Sequence, residues 1–289
     1  MSAFTGKRAP ALIEVVNVRK SYRQGGLFGG KNKVDVINGV DLRVEAGRCL
    51  GLLGASGCGK STVGRLILGL EYPDSGRILW KGGDINAFGG EERRLWRRNN
   101  QVVFQNSHGA VNPGLPAWKI VAEPLMNYGT PKGELRGRAE SLIRDVGLPG
   151  DCLDKKPHQF SGGELQRLCI ARALALAPEF ILLDESVSSL DMANQSVILE
   201  LLADLKNRTG AAFLFISHDL RVLLNISDSL AVMDEGRITS SWDDIADLEK
   251  EGVQYDPTLA RLVEAVLTAE PPEAHEAHGG GVPLEGAGI

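Results

Sequence analysis

Nowhere does the sequence approach the roughly 18 consecutive apolar residues that a membrane-spanning helix requires, so a membrane connection has to come through a partner. The stretch Met1 to Pro10 carries Lys7 and Arg8 with no apolar run behind them, which is not the layout of a secretory signal. Cysteine is scarce. Cys49, Cys58, Cys152 and Cys169 stand far apart without a Cys-x-x-Cys pair, which excludes the usual zinc and iron–sulfur spacings and reads as reduced thiols in a cytosolic protein. An excess of positive charge is missing as well: the formal net charge of −5 argues against a general nucleic-acid binder. No internal repeat is visible. What is present is 289 residues, 43% of them hydrophobic, enough to bury a sizeable core in one large domain or two modest ones.

The chain opens with strands. Ala11 to Val18 is mostly apolar, and Val34 to Val44 alternates apolar with polar residues as a half-buried antiparallel strand does. Gly25, Gly26, Gly29 and Gly30 mark a loop between them. Cys49 to Leu53 reads as a buried strand and Lys60 to Leu70 as a helix. Phe180 to Leu183 and Ala212 to Ile216 repeat this rhythm, each an apolar run followed by a helical segment. Buried strands alternating with helices predict an α/β fold with a mainly parallel sheet covered on both faces. Between residues 91 and 178 the texture changes to charged, helix-forming segments broken by Pro and Gly, which predicts a mostly helical subdomain inserted into the sheet domain. Asp256 to Thr268 has apolar residues at helical spacing, so 241–269 is expected to be a helical extension. Residues 270–289, rich in Pro, Glu, Ala and Gly, are expected to be a disordered tail. His275 and His278 in that tail read as solvated side chains rather than metal ligands.

Gly54-Ala55-Ser56-Gly57-Cys58-Gly59-Lys60-Ser61 fits G-x-x-x-x-G-K-[ST] in full, after an apolar strand and before a helix. Glycines let the backbone curl so that successive N–H groups point inward, and the helix start adds positive potential for phosphates. Lys60 is expected on the β- and γ-phosphates of a nucleotide, Ser61 on Mg²⁺, and Thr62 on the α-phosphate side. The second acidic element is Phe180-Ile-Leu-Leu-Asp184-Glu185. Ligands gather at the carboxyl ends of strands in parallel α/β sheets. Asp184 is therefore expected to face the phosphate loop and hold Mg²⁺, with Glu185 as general base for an attacking water. An acidic pair after a strand would alone read as a solvated turn; the phosphate loop gives it meaning.

Phe160-Ser161-Gly162-Gly163-Glu164-Leu165-Gln166-Arg167 closely resembles the signature sequence of ATP-binding-cassette (ABC) ATPases, and the resemblance extends over nearly the whole chain to about residue 240. Ser161 reads as a helix N-cap, and with the Gly162 and Gly163 amides it makes a second anion-binding helix start. The resemblance implies that this start binds the γ-phosphate of ATP held by another subunit, two ATP molecules being sandwiched in a head-to-tail dimer. It assigns further roles by position. Tyr22 is similar to the aromatic residue that stacks on adenine. Gln105, in Val103-Phe-Gln, matches the glutamine that senses Mg²⁺ and links the core to the helical subdomain. Asp191, in Ser188-Ser-Leu-Asp, resembles the loop that crosses to the opposite site, and His218, in Ile216-Ser-His-Asp, the switch histidine on the γ-phosphate.

Within the family, Ala110-Val-Asn-Pro113 followed by Ile120-Val-Ala-Glu-Pro124 resembles the peptide and nickel importer group, where this region receives the membrane subunit and a helix ends near Glu-Pro. Most of that group have Pro after the catalytic glutamate; Ser186 stands there instead, as a small residue does in nickel-importer subunits. Lys155 to Cys169 is also closest to that subgroup. The resemblance implies two membrane permease subunits, an extracytoplasmic solute-binding protein, and a second ATPase subunit, with a heterodimer favoured. Such a subunit sits at the cytoplasmic face of the cell membrane. Nickel or a metal chelate is the first reading of the solute, dipeptides or oligopeptides the second. A soluble ABC ATPase acting on DNA or ribosomes would typically carry coiled-coil insertions or a second cassette, and neither is present; Asn112-Pro113 speaks against an exporter or cell-division ATPase.

Overall fold

The computed structural model describes residues 11–24, 32–188, 190–249 and 259–260. The glycine loop at 25–30, the tail and most of the expected helix over 256–268 lie outside them. Two sheets organise the chain. The smaller is antiparallel, in the order β2–β1–β4–β5, from β1 (Ala11–Gln24), β2 (Asn32–Glu45), β4 (Ser75–Trp80) and β5 (Gly83–Asp84). β4 and β5 join it after β3 (Cys49–Leu53) and α1 (Lys60–Ile67). The larger runs β10–β9–β3–β8–β7–β6, from β6 (Asn100–Val103), β7 (Phe180–Asp184), β8 (Ala212–Ser217), β9 (Ser229–Asp234) and β10 (Arg237–Trp242). Its strands are parallel except for the β9–β10 hairpin.

Side-chain alternation explains why β3, β7 and β8 read as unbroken apolar runs. Leu50, Leu52, Leu182, Leu214 and Ile216 join the core shared with the antiparallel sheet and α1, while Leu53, Ile181, Leu183, Phe213 and Phe215 point to the helical side. Both faces are covered, so neither face is polar. Helix α1 is held between the two sheets by Val63, Leu66 and Ile67. Gly64 lets it approach β7, because a Cβ there would meet Leu182 Cδ2 at 2.9 Å.

The other core is built by α3 (Ala117–Asn127), α4 (Lys132–Asp145), α5 (Gly162–Leu174) and α6 (Met192–Thr209). Leu135, Ala139 and Ile143 recur every four residues on α4, whose outer face carries the Glu134–Arg138 and Glu140–Arg144 pairs. Helix α6 starts at an Asp191 cap and ends at Gly210, φ +66°, with Lys206 and Arg208 in its last turn. The stretch 91–178 is not helical throughout: after α2 (Gly90–Asn99) it contains β6, the edge strand of the large sheet. Strand β10 continues to Trp242, past residue 240. Helix α3 runs through Pro124 and ends three residues later at Asn127. A proline in the last turn forgoes only one intrahelical hydrogen bond, and Tyr128 N–H still reaches the Pro124 carbonyl at 3.1 Å. Among the described residues, no helix is long and apolar enough to cross a membrane.

Candidate nucleotide site

Strand register gathers residues from four parts of the sequence into one row. Leu53 of β3 lies opposite Ser217 of β8, Ile216 opposite Asp184 of β7, and Leu183 opposite Val103 of β6. β3, β8, β7 and β6 therefore end within two residues of one level. Just beyond those ends stand Gly54, His218, Glu185 and Gln105.

The phosphate loop leaves β3 at Gly54, where a Cβ would run into the Met233 carbonyl and Cys58 Sγ. Gly57 and Gly59 have φ of +83° and +112°, the left-handed region that side chains disfavour. At Gly59 a Cβ would also lie 2.9 Å from Ile37 Cδ1 and Met233 Cε. Helix α1 begins without a side-chain cap and without an acid in its first turn, which leaves a helix start suited to an anion. Lys60 is buried, and its Nζ donates to the Gly54 and Ala55 carbonyls at 2.7 and 2.9 Å. Ala55, Ser56 and Gly57 form the exposed tip of the loop, whereas Cys58 is buried and burial pushes its thiol up. Thr62 is buried, with its side chain near the Tyr22 hydroxyl.

Ser61 Oγ donates to Asp184 Oδ1 at 3.0 Å. Burial pushes the Asp184 carboxyl up; the Ser61 hydrogen bond opposes the rise and the neighbouring Glu185 charge adds to it. Gln105 Nε2 donates to Glu185 Oε2 at 3.0 Å, and His218 Nδ1 lies 3.6 Å from Glu185 Oε1. Glu185 itself has φ +43°, an uncommon conformation for a residue with a side chain. Its N–H reaches the Ile216 carbonyl at 3.0 Å, and its carbonyl accepts from the Ser188 hydroxyl at 2.9 Å. Ser186 is buried, and its hydroxyl has no hydrogen-bond partner among the described residues.

Ser161 caps α5 with a reciprocal pair: its N–H donates to Glu164 Oε2 at 2.7 Å and its Oγ accepts from Glu164 N–H at 3.3 Å. The start of α5 packs on the start of α6 rather than on the phosphate loop. A Cβ on Gly163 would meet Asn194 Oδ1 at 2.9 Å, and one on Gly162 would meet Leu190 Cδ2 at 3.7 Å. Asp191 accepts from Asn194 N–H at 3.0 Å, which, first among its contacts, holds its carboxyl below the usual range. Thus Ser161, Gly162, Gly163 and Asp191 form one group, while Lys60, Ser61, Gln105, Asp184, Glu185 and His218 form another. Ser189, within the Ser188–Asp191 loop, lies outside the described residues.

Three contacts have no signal in the sequence. The Tyr22 hydroxyl donates to Glu71. The segment after Gln105 is clasped by α5, with a Ser107 hydroxyl to Gln166 hydrogen bond and Arg172 Nη1 on the Ala110 carbonyl at 2.5 Å. Gln166 and Arg172 lie in and just after the signature-like stretch, but only the fold shows what they hold.

Residues 37–188 match the family described as ABC transporter. The nickel import ATP-binding protein NikE of Escherichia coli (strain K12) is 41% identical over 262 residues, covering 90% of this chain and 96% of that protein. NikE of Shigella dysenteriae serotype 1 (strain Sd197) is 41% identical over 231 residues, covering 80% and 86%. Among solved structures, the ATP-binding cassette MJ0796, a dimer in a post-hydrolysis state bound to ADP and Pi, has a TM-score of 0.70 at 27% identity, covering 80% of this chain and 97% of that one. Sequence and fold agree, and the chain belongs to the ABC transporter family of ATP-hydrolysing, nucleotide-binding cassettes.

Proposed function

We propose that the chain is one of two ATPase subunits that energise import of nickel or a metal chelate through two membrane permease subunits, from the cytoplasmic face of the membrane. The observation that carries the ATPase chemistry is the row Gln105–Glu185–His218, set beside the Ser61–Asp184 pair at the carboxyl edge of the parallel sheet. The solute reading is supported by 41% identity to nickel import ATP-binding proteins along most of both chains. A solute-binding protein outside the cell would deliver the solute to the permeases.

In this reading the α1 start and the Gly57–Lys60 backbone receive the phosphates, and Lys60 Nζ exchanges the Gly54 and Ala55 carbonyls for phosphate oxygens. The site fits Mg²⁺: Ser61, Asp184 and Gln105 offer hydroxyl, carboxylate and amide oxygens, the hard donors this ion prefers. Bound there, the ion would offset phosphate charge in the transition state. Glu185 accepts the proton of the attacking water. Gln105 orients one oxygen of that carboxylate and His218 stands beside the other, so the base meets the water in a fixed direction. Tyr22 stacks on adenine. Ser161, Gly162 and Gly163, apart from this group, serve ATP held by the second subunit, and Asp191 lies on the same crossing surface.

The test is to purify the chain with its permeases and its second ATPase subunit, reconstitute them in liposomes with the binding protein, and measure ATPase activity against solute. Stimulation by nickel or its chelates supports the reading. Stimulation by dipeptides alone would leave the ATPase assignment in place and replace the solute.

A further inference from the structure

We infer that Glu71 is a positioning residue that holds the Tyr22 ring in its base-stacking orientation and ties the base end of the nucleotide pocket to the phosphate end. The inference rests on reading Tyr22 as the adenine platform.

The geometry begins where α1 ends. Gly69, φ +58°, turns the chain back, with the Trp96 ring packed where a side chain would stand. Leu70 N–H closes the turn on the Arg65 carbonyl at 2.9 Å. The chain then runs beside the end of β1. Asp74 N–H donates to the Arg19 carbonyl at 2.8 Å, Lys20 Nζ donates to the Tyr72 carbonyl at 2.7 Å, and Ser21 N–H donates to Asp74 Oδ2 at 3.0 Å. The Ser21 hydroxyl also donates to Asp74. These bonds secure the backbone around Tyr22 without Glu71.

Glu71 does something different. One of its carboxylate oxygens accepts from the Tyr22 hydroxyl, and the other lies 3.7 Å from Arg65 Nη1 on α1. The Thr62 side chain also reaches the Tyr22 hydroxyl from the first turn of α1. The tip of the ring is thus referenced to the helix whose start receives phosphates, while the residue as a whole stays exposed. A tyrosine pinned only at its Cα would have to be ordered each time a base arrives. Pinned at both ends, it meets the base in place, and preorganisation of this kind improves affinity by removing an ordering cost.

Isothermal titration calorimetry on the full chain tests this with two probes, the β,γ-imido analogue of ATP and inorganic tripolyphosphate, which lacks a base. Glu71→Ala and Tyr22→Phe are each expected to weaken the ATP analogue about three- to tenfold. Tripolyphosphate affinity should not change. The two substitutions together should cost clearly less than the sum of the two alone, because both remove the Tyr22–Glu71 bond. Glu71→Gln keeps an acceptor oxygen and should bind the analogue within about twofold of the parent. Tyr22→Ala tests the platform itself. If it leaves the analogue unaffected, the stacking reading fails, and this inference with it. If Tyr22→Ala weakens binding while Glu71→Ala and Tyr22→Phe do not, stacking stands and the role of Glu71 is overturned. Equal loss of both probes in Glu71→Ala would also overturn it, placing the effect in the phosphate loop.

Discussion

Gln105 and Glu185, 80 residues apart in sequence, meet at 3.0 Å through the side-chain amide of one and the carboxylate of the other. They meet because Val103 and Leu183 are partners in neighbouring parallel strands, and each functional residue lies two positions beyond its strand partner. Glu185 is therefore aimed by the sheet and then by the amide. Replacing it with glutamine keeps the size and removes the base. Glu185→Gln is expected to retain ATP binding and to lower steady-state hydrolysis by about 100-fold or more, and to accumulate an ATP-bound dimer on gel filtration. Near-normal turnover in a phosphate-release assay would refute the assignment.

The half-buried Asp184 should separate stability from activity. Burial raises its folded pKa, so the fold favours the protonated form. The sign follows: the penalty on the folded state is absent below the ordinary carboxylate range and complete once pH exceeds the raised value. At neutral pH the ionised side chain therefore lowers stability. Asp184→Asn should raise the thermal midpoint of the nucleotide-free protein by about 1–3 °C at pH 7, with the gain disappearing toward pH 3. The same variant should lose most Mg²⁺-dependent ATPase activity. A midpoint that falls at pH 7 would contradict the electrostatic account.

Ser186 offers a simpler gain. Its hydroxyl is buried with no partner among the described residues, which is a desolvation cost with no return. Ser186→Ala is expected to stabilise the chain by about 1 kcal/mol, seen as a higher urea midpoint with an unchanged slope, and to keep kcat within about twofold, since no hydrogen bond to Glu185 is lost. Destabilisation would show that the hydroxyl has a partner in solution.

Much of this arrangement is legible in the sequence, for identifiable reasons. β3, β7 and β8 are buried on both faces and so appear as apolar runs, and the phosphate loop and the Asp184-Glu185 pair stand directly at their ends. β6 is harder. It has only four residues, begins with Asn100 and Gln101, and follows α2 directly, so its polar start hides a strand inside a helical texture. β4 is hidden because its partner β1 precedes the phosphate loop, and β5 because it has only two residues, paired on β4. Glu71 was not legible at all: its link to Tyr22 spans 49 residues and depends on how α1 ends.

The division of the site into two groups leads to the last prediction. Ser161, Gly162 and Gly163 sit at the start of α5 and pack on Leu190 and Asn194, while Lys60 and Ser61 stand at the start of α1. Both helix starts favour an anion, and ATP carries its charge in one compact triphosphate. If two chains meet head to tail, the α5 start of one covers the phosphate loop of the other. Cysteines at Ser161 and at Ser56, on the exposed loop tip, should then be close between chains and distant within one. The four native cysteines are buried and should stay silent toward a mild oxidant. In a chain carrying Glu185→Gln with Ser161→Cys and Ser56→Cys, oxidation with ATP present should give a covalent dimer on a non-reducing gel, and oxidation without nucleotide should not. Adding Lys60→Ala should abolish the dimer, because it removes the cation that holds the nucleotide. A disulfide formed wholly within one chain, or a dimer that forms equally well without ATP, would overturn the shared site.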